Sequence, residues 1–518
     1  MSEYLLVAEA DKIQDLLFRS SKLREVVGGS QLLKEFCEKG VNELIKKGDF
    51  DVEEEDIIIQ AGGTVEILFN KKNKAKEFSE YLSELYRRTL GGSITIADIL
   101  KIDRDENKEK FFIKKSQTEL RKAKHIGKKA EALQHNPYIA LCSSCGIGLA
   151  EDIKSQEGQR KYICKSCLNK KNIRNEKIKK GFLNEFSKYV SSDFDNLKNN
   201  YPEDTDEIAT LNSKNYVAYL IADVNYMGKV FNSCNDFKMV DSLSENFNRI
   251  IQESLAEPLN ILLHNQNIFN NINFNPVLPL ILGGDDIFVL LPANWALDYT
   301  IKFFKEFETR IAKYLEKENF DIDYKPTISA GLVICKGKYP YYSAHRAGNE
   351  LLKQAKRKAK TLEKDKIFST ISYKIITGNT TVKEMESEEN KFKTGYCAYK
   401  VEELEQLLDF RLKLKNLPGT RRNQIQDIFI EAEKRTKNNN SLYEANKKWK
   451  KDYNSLLDRL NENIEKRLKQ FEHTMDISDE TGWHRENGKY YHPLSGLLSA
   501  WDYSYKLKYD MKDYRRDI

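Results

Sequence analysis

The stretch LPLILGGDDIFVLLP, residues 278–292, sets two apolar runs around two glycines and two adjacent carboxylates. Runs of this length, bounded by Gly-Gly, read as the arms of a buried hairpin. Burying a carboxylate without a partner is costly, so Asp285 and Asp286 stand where folding alone wants neither. Side chains alternate faces along a strand, and a chelating pair therefore needs a second acid from a neighbouring strand. The apolar run VAYLIAD (217–223) supplies it, ending in Asp223. Asp223, Asp285 and Asp286 together suit one or two Mg²⁺ (or Mn²⁺) ions, which prefer hard oxygen ligands. Gly283 and Gly284 would let a nucleotide come close to the backbone. The plainer reading of the same residues is a glycine-containing hairpin turn with ordinary aspartates.

Working outward, the hairpin sits in an ordered series: a strand and turn (216–231), a helix (239–265), the hairpin, a helix (294–317) and a strand (325–335). The N-terminal part repeats that order. YLLVAEADKIQDLLF (4–18) begins as a strand and turns helical, and LREVVGGSQLLKEF (23–36) reads as a loop opening a helix. DIIIQAGGTVEILFN (56–70) is a hairpin, 74–90 a helix and 93–100 a strand. VAEADKIQDLLF is similar to LIADVNYMGKVF, and AGGTVEILF to LGGDDIFVL. The chain thus reads as a duplicated βαββαβ unit. The copies are chemically unequal: Glu9 stands against Asp223, but Thr64 and Val65 stand against Asp285 and Asp286.

At 518 residues the chain should hold several domains, since one hydrophobic core stops growing well before that length. The expected fold class is α+β, with boundaries at 1–105 (first βαββαβ unit), 106–210 (helical and four-cysteine module), 211–395 (second unit, with GGDD) and 396–518 (amphipathic helices of alternating charge). A polar linker is expected near 170–210. No apolar run reaches the length of a membrane helix, and the N-terminus lacks the basic flank of a secretory signal. A cytoplasmic protein without membrane contact is expected. The formal net charge of +6, from 85 basic and 79 acidic residues, permits a polyanionic partner without requiring one.

Cys142, Cys145, Cys164 and Cys167 form CSSC and CKSC motifs separated by 18 residues. That is the pattern of a closed structural Zn²⁺ site with four thiolates and no open position for catalysis. Cys37, Cys234, Cys335 and Cys397 are scattered and make no disulfide framework. Gly28, Gly29 and Ser30 fit a loop entering a helix, with Ser30 as cap and free N–H groups for a phosphate or base. Lys-rich stretches at 124–135 and 353–360 read as solvated helix faces before RNA contacts, and the aromatic tail (473–518) as packing before base stacking.

LGGDDIF, preceded by ADVNYMGKVF and followed by TISAGLVICKGKYPYYSAHRAGNELLKQAKRKAK, resembles the palm domain of the large polymerase-like subunit of type III CRISPR effector complexes, a family related to the GGDEF diguanylate cyclases. DKIQDLLFRSSKLREVVGGSQLL and AGGTVEILF resemble its first palm, and a four-cysteine zinc module typically separates the two palms. The resemblance covers residues 4 to about 365. It implies two ferredoxin-like palm domains with a zinc-binding insertion between them, a C-terminal helical domain, and synthesis of cyclic oligoadenylate from ATP. Asp223 and Asp286 would be metal ligands and Asp285 a ligand or its neighbour. Lys356 would bind a triphosphate, and Gly62 and Gly63 would line a second nucleotide site without metal. The implied partners are other subunits of an RNA-guided complex, crRNA and an activating target RNA. Many family members begin with a nuclease domain marked by an adjacent His-Asp pair; this sequence has no such dipeptide, and no nuclease activity is expected of it. Two other readings keep the residues: palm chemistry with a different product, namely AMP joined to a non-nucleotide acceptor or a cyclic dinucleotide, and a scaffold that binds nucleotide without turning it over.

Overall fold

The computed structural model describes residues 2–20, 22–103, 109–126, 140–156, 159–177, 181–264, 272–320, 322, 324–361, 368–377, 392–393, 398–437, 442–475, 477, 483–486 and 489–508. Cys397 and the Lys-rich residues 127–135 lie outside them.

The first unit runs β1 (Ser2–Ala10), α1 (Ile13–Leu17), α2 (Leu23–Glu35), α3 (Val41–Gly48), β2 (Ile57–Ala61), β3 (Thr64–Phe69), α4 (Lys72–Leu90), β4 (Ile94–Ile96) and β5 (Leu100–Asp103). Its strands are ordered β2-β3-β1-β4, with β5 also paired to β1. Alternation along β1 decides the layers. Leu6 and Ala8 share a core with Phe78, Leu82 and Tyr86 of α4, while Leu5 and Val7 face the other way, toward Phe112 and Leu120 of α5 (Glu109–Ile126).

After α5 comes a hairpin of β6 (Asp152–Gln156) and β7 (Gln159–Ile163), followed by α6 (Lys165–Lys177). The expected linker is structured: α7 (Phe182–Ser187), α8 (Asp195–Lys198) and α9 (Thr205–Ala209) occupy it. Its apolar residues explain the difference, because Phe182, Leu183, Phe186 and Ile208 are buried.

The second unit runs β8 (Tyr216–Asn225), α10 (Met227–Ser233), α11 (Phe237–Leu263), β9 (Leu278–Gly283), β10 (Asp286–Pro292), α12 (Ala296–Lys317) and β11 (Thr327–Lys336). The side chain of Asp236 caps α11 by accepting from Met239 N–H at 2.7 Å. Helix α13 (Tyr341–Thr361), β12 (Thr370–Ile375), β13 (Phe392–Lys393) and β14 (Ala398–Lys400) follow, and the sheet order is β14-β12-β11-β8-β10-β9. β8 is apolar on both faces, as a central covered strand must be. Ala218, Leu220 and Ala222 pack under α11 and α12, and Tyr219 and Ile221 under α13.

The units dock reciprocally. α2 of the first lies on β9 of the second, and α11 of the second lies on β2 of the first. Val26 and Val27 share a core with Leu278 and Leu280. The C-terminal helices α14 (Val401–Lys413), α15 (Gly419–Lys437), α16 (Leu442–Leu457), α17 (Glu462–Thr474) and α18 (Pro493–Ser499) extend the main core. The described part of the aromatic tail packs there: Trp483, Tyr490, His492 and Trp501 are buried. No helix among the described residues is long and apolar enough to cross a membrane.

Candidate functional site

Strand register brings the acids together. β10 runs antiparallel to β8 with Asp286 directly opposite Asp223, and Ser329 of β11 stands on the other side of Asp223. Directly opposed residues have Cβ atoms roughly 4.5–5.5 Å apart. The hairpin turns through Gly284, at φ +60°, and Asp285, both exposed, between the paired residues Gly283 and Asp286. A left-handed φ at this corner is why a glycine is required there.

Lys356 of α13 completes the cluster, with Nζ 2.7 Å from Asp223 Oδ1. The helix comes this near because it crosses the sheet at two glycines: a Cβ on Gly331 would lie 2.1 Å from the Gly348 carbonyl oxygen. Burial raises the Asp223 carboxyl pKa, against the pull of the Lys356 ammonium. Burial, followed by the charges of Asp285 and Asp223, pushes Asp286 up to about 6. Two carboxylates held face to face in a half-buried site are a place for a cation. The oxygens of all three aspartates do not gather within 4.8 Å; among the described residues only the four cysteines bring three or more such ligand atoms that close. The carboxylate donor set fits Mg²⁺ or Mn²⁺, with Asp223 and Asp286 as its nearest pair.

The first unit carries the same scaffold without the second acid. Glu9 lies opposite Thr64 as Asp223 lies opposite Asp286. Three residues beyond each acid stands a non-glycine residue in the left-handed region, Lys12 at φ +46° and Tyr226 at φ +69°. Register therefore moves the sequence comparison of the hairpins by one residue. Ala61 pairs with Thr64 across Gly62–Gly63, so Thr64 takes the place of Asp286 and Gly63 that of Asp285. Glu9 also has its lysine: Lys124 of α5 lies 2.6 Å away, on the helix that follows this unit as α13 follows the other. Glu66, one turn of the pleat from Thr64, is pushed up to about 7 by burial and by Glu9.

The two hairpin tips touch. A Cβ on Gly62, at φ +62°, would meet Gly284 N at 3.2 Å, and one on Gly283 would meet Gly62 Cα at 3.3 Å. Beside the contact is a cavity of ≈ 150 Å³ lined by Ser30, Lys34, Gln60, Asn248, Gln252 and Asp286, among others. Gly62 and Gly283 line it too, whereas Gly63 packs on Ile13 and Ala10.

Gly28, Gly29 and Ser30 are corrected. They lie inside α2, not in a loop before it, and Ser30 is not the cap. The reason is tertiary: a Cβ on Gly28 would sit 2.0 Å from the Lys170 carbonyl oxygen and one on Gly29 2.6 Å from Leu17. The glycines let α6 cross α2 closely, and their space is filled by protein. Ser30 Oγ instead donates to the Leu280 carbonyl, tying α2 to β9.

The four cysteines converge with sulfur atoms within 4.8 Å of one another. Cys145 and Cys164 are 3.9 Å apart, near the roughly 3.8 Å that four Zn–S bonds of about 2.3 Å impose on a tetrahedron. The backbone N–H groups of Ser144 and Gly148 point at Cys142 and Cys145 sulfur, each at 3.4 Å. The cluster fits zinc. It is bolted to the first unit: Ser166 Oγ and Asn169 Nδ2 bond the last carbonyls of α4, and Ser144 donates to buried Glu25 of α2.

Sequence reasoning missed Gln14 and His345. Gln14, on α1 of the first unit, bonds across to the second: His345 Nε2 lies 2.7 Å from Gln14 Oε1. Both lie inside stretches quoted above, but nothing in those stretches pairs them, and 331 positions separate them in the chain.

Fold and site define a chain of two docked βαββαβ units with its paired acids in the second. Residues 216–368 match the family model described as Cas10/Cmr2, second palm domain, and the chain is Cas10-like in that part. No curated protein matches. Among solved structures, Csm1 of T. onnurineus is similar at TM-score 0.56 and 13% identity, covering 97% of this chain and 69% of that one. A Csm1-Csm4 cassette in complex with cA4 is similar at TM-score 0.51 and 12% identity over 86% of this chain. A cassette in complex with one ATP is similar at 0.50 and 13%, over 85%. The chain spans 63% and 64% of the length of the two cassette chains. These likenesses are of fold.

Proposed function

We propose that the chain is a Mg²⁺- or Mn²⁺-dependent nucleotidyltransferase that converts ATP to cyclic oligoadenylate, as the catalytic subunit of an RNA-guided type III CRISPR complex activated by target RNA. The observation that carries this reading is Asp286 opposite Asp223 at a hairpin tip that abuts the Gly-Gly tip of the other unit. The first unit is read as a degenerate palm, and the domain limits are those expected from the sequence. Support comes from the Cas10/Cmr2 second-palm match and from the Csm1-Csm4 cassettes described above in complex with ATP and cA4.

Two ATP molecules would lie between the units. The 3′-hydroxyl of one attacks the α-phosphorus of the other; a P–O bond forms, the α–β anhydride breaks, the hydroxyl proton is lost and pyrophosphate leaves. Asp223 and Asp286, with Asp285 at the exposed tip, would hold the divalent ion, which supplies charge neutralisation at the phosphate. Lys356 brings an ammonium to the same place for the triphosphate, and Gly283 and Gly62 keep side chains out of it. Gly284 supplies the left-handed corner. The cysteine cluster would hold structural zinc.

The test incubates the purified chain with ATP and Mg²⁺ or Mn²⁺, alone and with its RNA-bound partners, and identifies products by mass. Cyclic oligoadenylate and pyrophosphate are expected. Product formation undiminished in the Asp285→Ala/Asp286→Ala variant overturns the reading, and an AMP adduct or cyclic dinucleotide replaces it with palm chemistry of another product.

A further inference from the structure

We propose that Asn225 and Asp11 each accept a hydrogen bond from a ribose hydroxyl of a bound nucleotide, one residue in each of the two units. The proposal rests on the reading of the site as a nucleotidyltransferase centre between the units, and it assigns the groups that recognise the sugar there.

One device occurs twice. Asn225 stands two residues past Asp223 on β8, on the same face of the sheet and about 7 Å farther along the strand. Its Nδ2 lies 3.0 Å from Thr327 Oγ1 and 3.0 Å from Ser329 Oγ, both on β11. Asp11 stands two residues past Glu9, and Ser93 Oγ and Thr95 Oγ1 donate to its two carboxylate oxygens at 2.9 and 2.6 Å. The ladders make these equivalent positions, because Thr95 lies opposite Glu9 as Ser329 lies opposite Asp223. In each unit the hairpin ladder stops at the acid, with Asp286 on Asp223 and Thr64 on Glu9. Asn225 and Asp11 are half-buried and lie just past those last pairs, beside the two hairpin tips. The device does not depend on the second acid, since the first unit lacks that acid and keeps the grip.

Hydrogen accounting shows what each residue has left to offer. Thr370 Oγ1 donates to the Ala355 carbonyl at 2.8 Å. In its 3.2 Å contact with Ser329 Oγ it therefore accepts, and Ser329 donates. With its one proton spent, Ser329 accepts from Asn225 Nδ2, and Thr327 takes the other amide proton. Ser329 Oγ is also 3.3 Å from Asn225 Oδ1, a contact that then carries no proton. Ser329 and Thr370 are buried, so water does not compete for this chain. Asn225 Oδ1 keeps its lone pairs, and Asp11 keeps those that the two hydroxyls do not use. Both are acceptors held in a fixed direction. An ionised phosphate oxygen also only accepts, so neither residue suits the triphosphate, whereas a ribose hydroxyl donates and suits both. Of the donors on ATP, the ribose hydroxyls are nearer than the base amine to the α-phosphorus, which the acids would hold. A fixed acid reading a ribose hydroxyl is also how dinucleotide-binding folds recognise the sugar.

The experiment titrates the full chain with ATP, 2′-deoxy-ATP and 3′-deoxy-ATP by calorimetry, in wild type, Asn225→Ala, Asp11→Ala and the double variant. Ca²⁺ replaces Mg²⁺ to hold turnover off, since it takes the same oxygen ligands in a looser geometry. Wild type should bind ATP about tenfold tighter than the analogue lacking the hydroxyl that is read, the scale of one hydrogen bond; the two analogues show which hydroxyl that is. Each single variant should lose the preference at one of two sites. The double variant should bind ATP and that analogue within about twofold of each other. Equal binding of all three nucleotides by wild type, or a preference that survives in the double variant, overturns the proposal. So does a variant that weakens all three by the same factor, because a role in folding alone would do that and lower the melting temperature. ATP conversion with Mg²⁺, run in parallel, separates this inference from the reading beneath it. Product without a ribose preference overturns the inference alone; a ribose preference without product supports it and fails the nucleotidyltransferase reading; no binding of ATP overturns both.

Discussion

Asp286 carries a folding penalty that its neutral isostere lacks. Its carboxyl titrates near 6 in the fold against the ordinary 3.8, because burial and two neighbouring acids oppose its charge. A raised carboxylate pKa means that the folded chain binds this proton more tightly than the unfolded chain. Stability from this group rises as pH falls from about 6 to 4, and the penalty is fully present above 6. At pH 8 without added divalent metal, Asp286→Asn should raise the melting temperature by an increment worth about 1–3 kcal/mol. The gain should vanish at pH 4. Added Mn²⁺ should then stabilise wild type and leave Asp286→Asn unmoved, by mass action on a site that only wild type has. Calorimetry at the two pH values, with and without Mn²⁺, checks the set. The acids themselves were legible in the sequence, since two charges between buried strands contradict burial. Gln14 and His345 were not, because a hydrogen bond between residues 331 positions apart leaves no trace in local pattern.

At the level of elements, hairpins and strands were readable and helix α2 was not. β9 and β10 announce themselves as apolar runs around Gly-Gly and β8 as an apolar run ending at Asp223, and their register follows from which face must be buried. Gly28-Gly29 reads as a helix breaker on propensity, each glycine costing about 1 kcal/mol against alanine in a helix. The crossing of α6 over α2 reverses that preference, since only glycine admits the Lys170 backbone. Gly28→Ala should therefore destabilise although alanine favours helix. The expected cost is about 1–3 kcal/mol or more from overpacking, read as a lower melting temperature. The one-residue offset between the hairpins has a similar origin: letters align GG with GG, but pairing aligns Ala61 with Gly283 and Thr64 with Asp286. Duplication was visible, and its exact register needed the ladder.

Across the whole molecule, the cysteine cluster is tied to the helices of the first unit. Lys170 Nζ bonds the Leu16 carbonyl at 2.8 Å, at the end of the short helix that carries Gln14. Ser144, between the first two cysteines, bonds Glu25. Loss of the metal should loosen α1 and α2. Protein purified without chelator should hold about one zinc per chain by elemental analysis, and Cys164→Ser should hold close to none. The same variant should melt lower, because metal binding and folding of a four-thiolate site are coupled. Zinc near zero in wild type would refute the assignment of the cluster.

One scaffold occurs twice, with Asp223 opposite Asp286 in one copy and Glu9 opposite Thr64 in the other, and the proposed chemistry is assigned to the first of these alone. The most direct measurement is ATP conversion, with products identified by mass, in Asp223→Asn, Asp286→Asn and Glu9→Gln, each shown to be folded. The two aspartate variants should lose about 10³-fold in rate, the scale of removing a charge-stabilising group from such a centre, and Glu9→Gln should stay within about threefold of wild type. Unchanged product formation in Asp223→Asn or Asp286→Asn, or a loss in Glu9→Gln equal to theirs, would contradict the account.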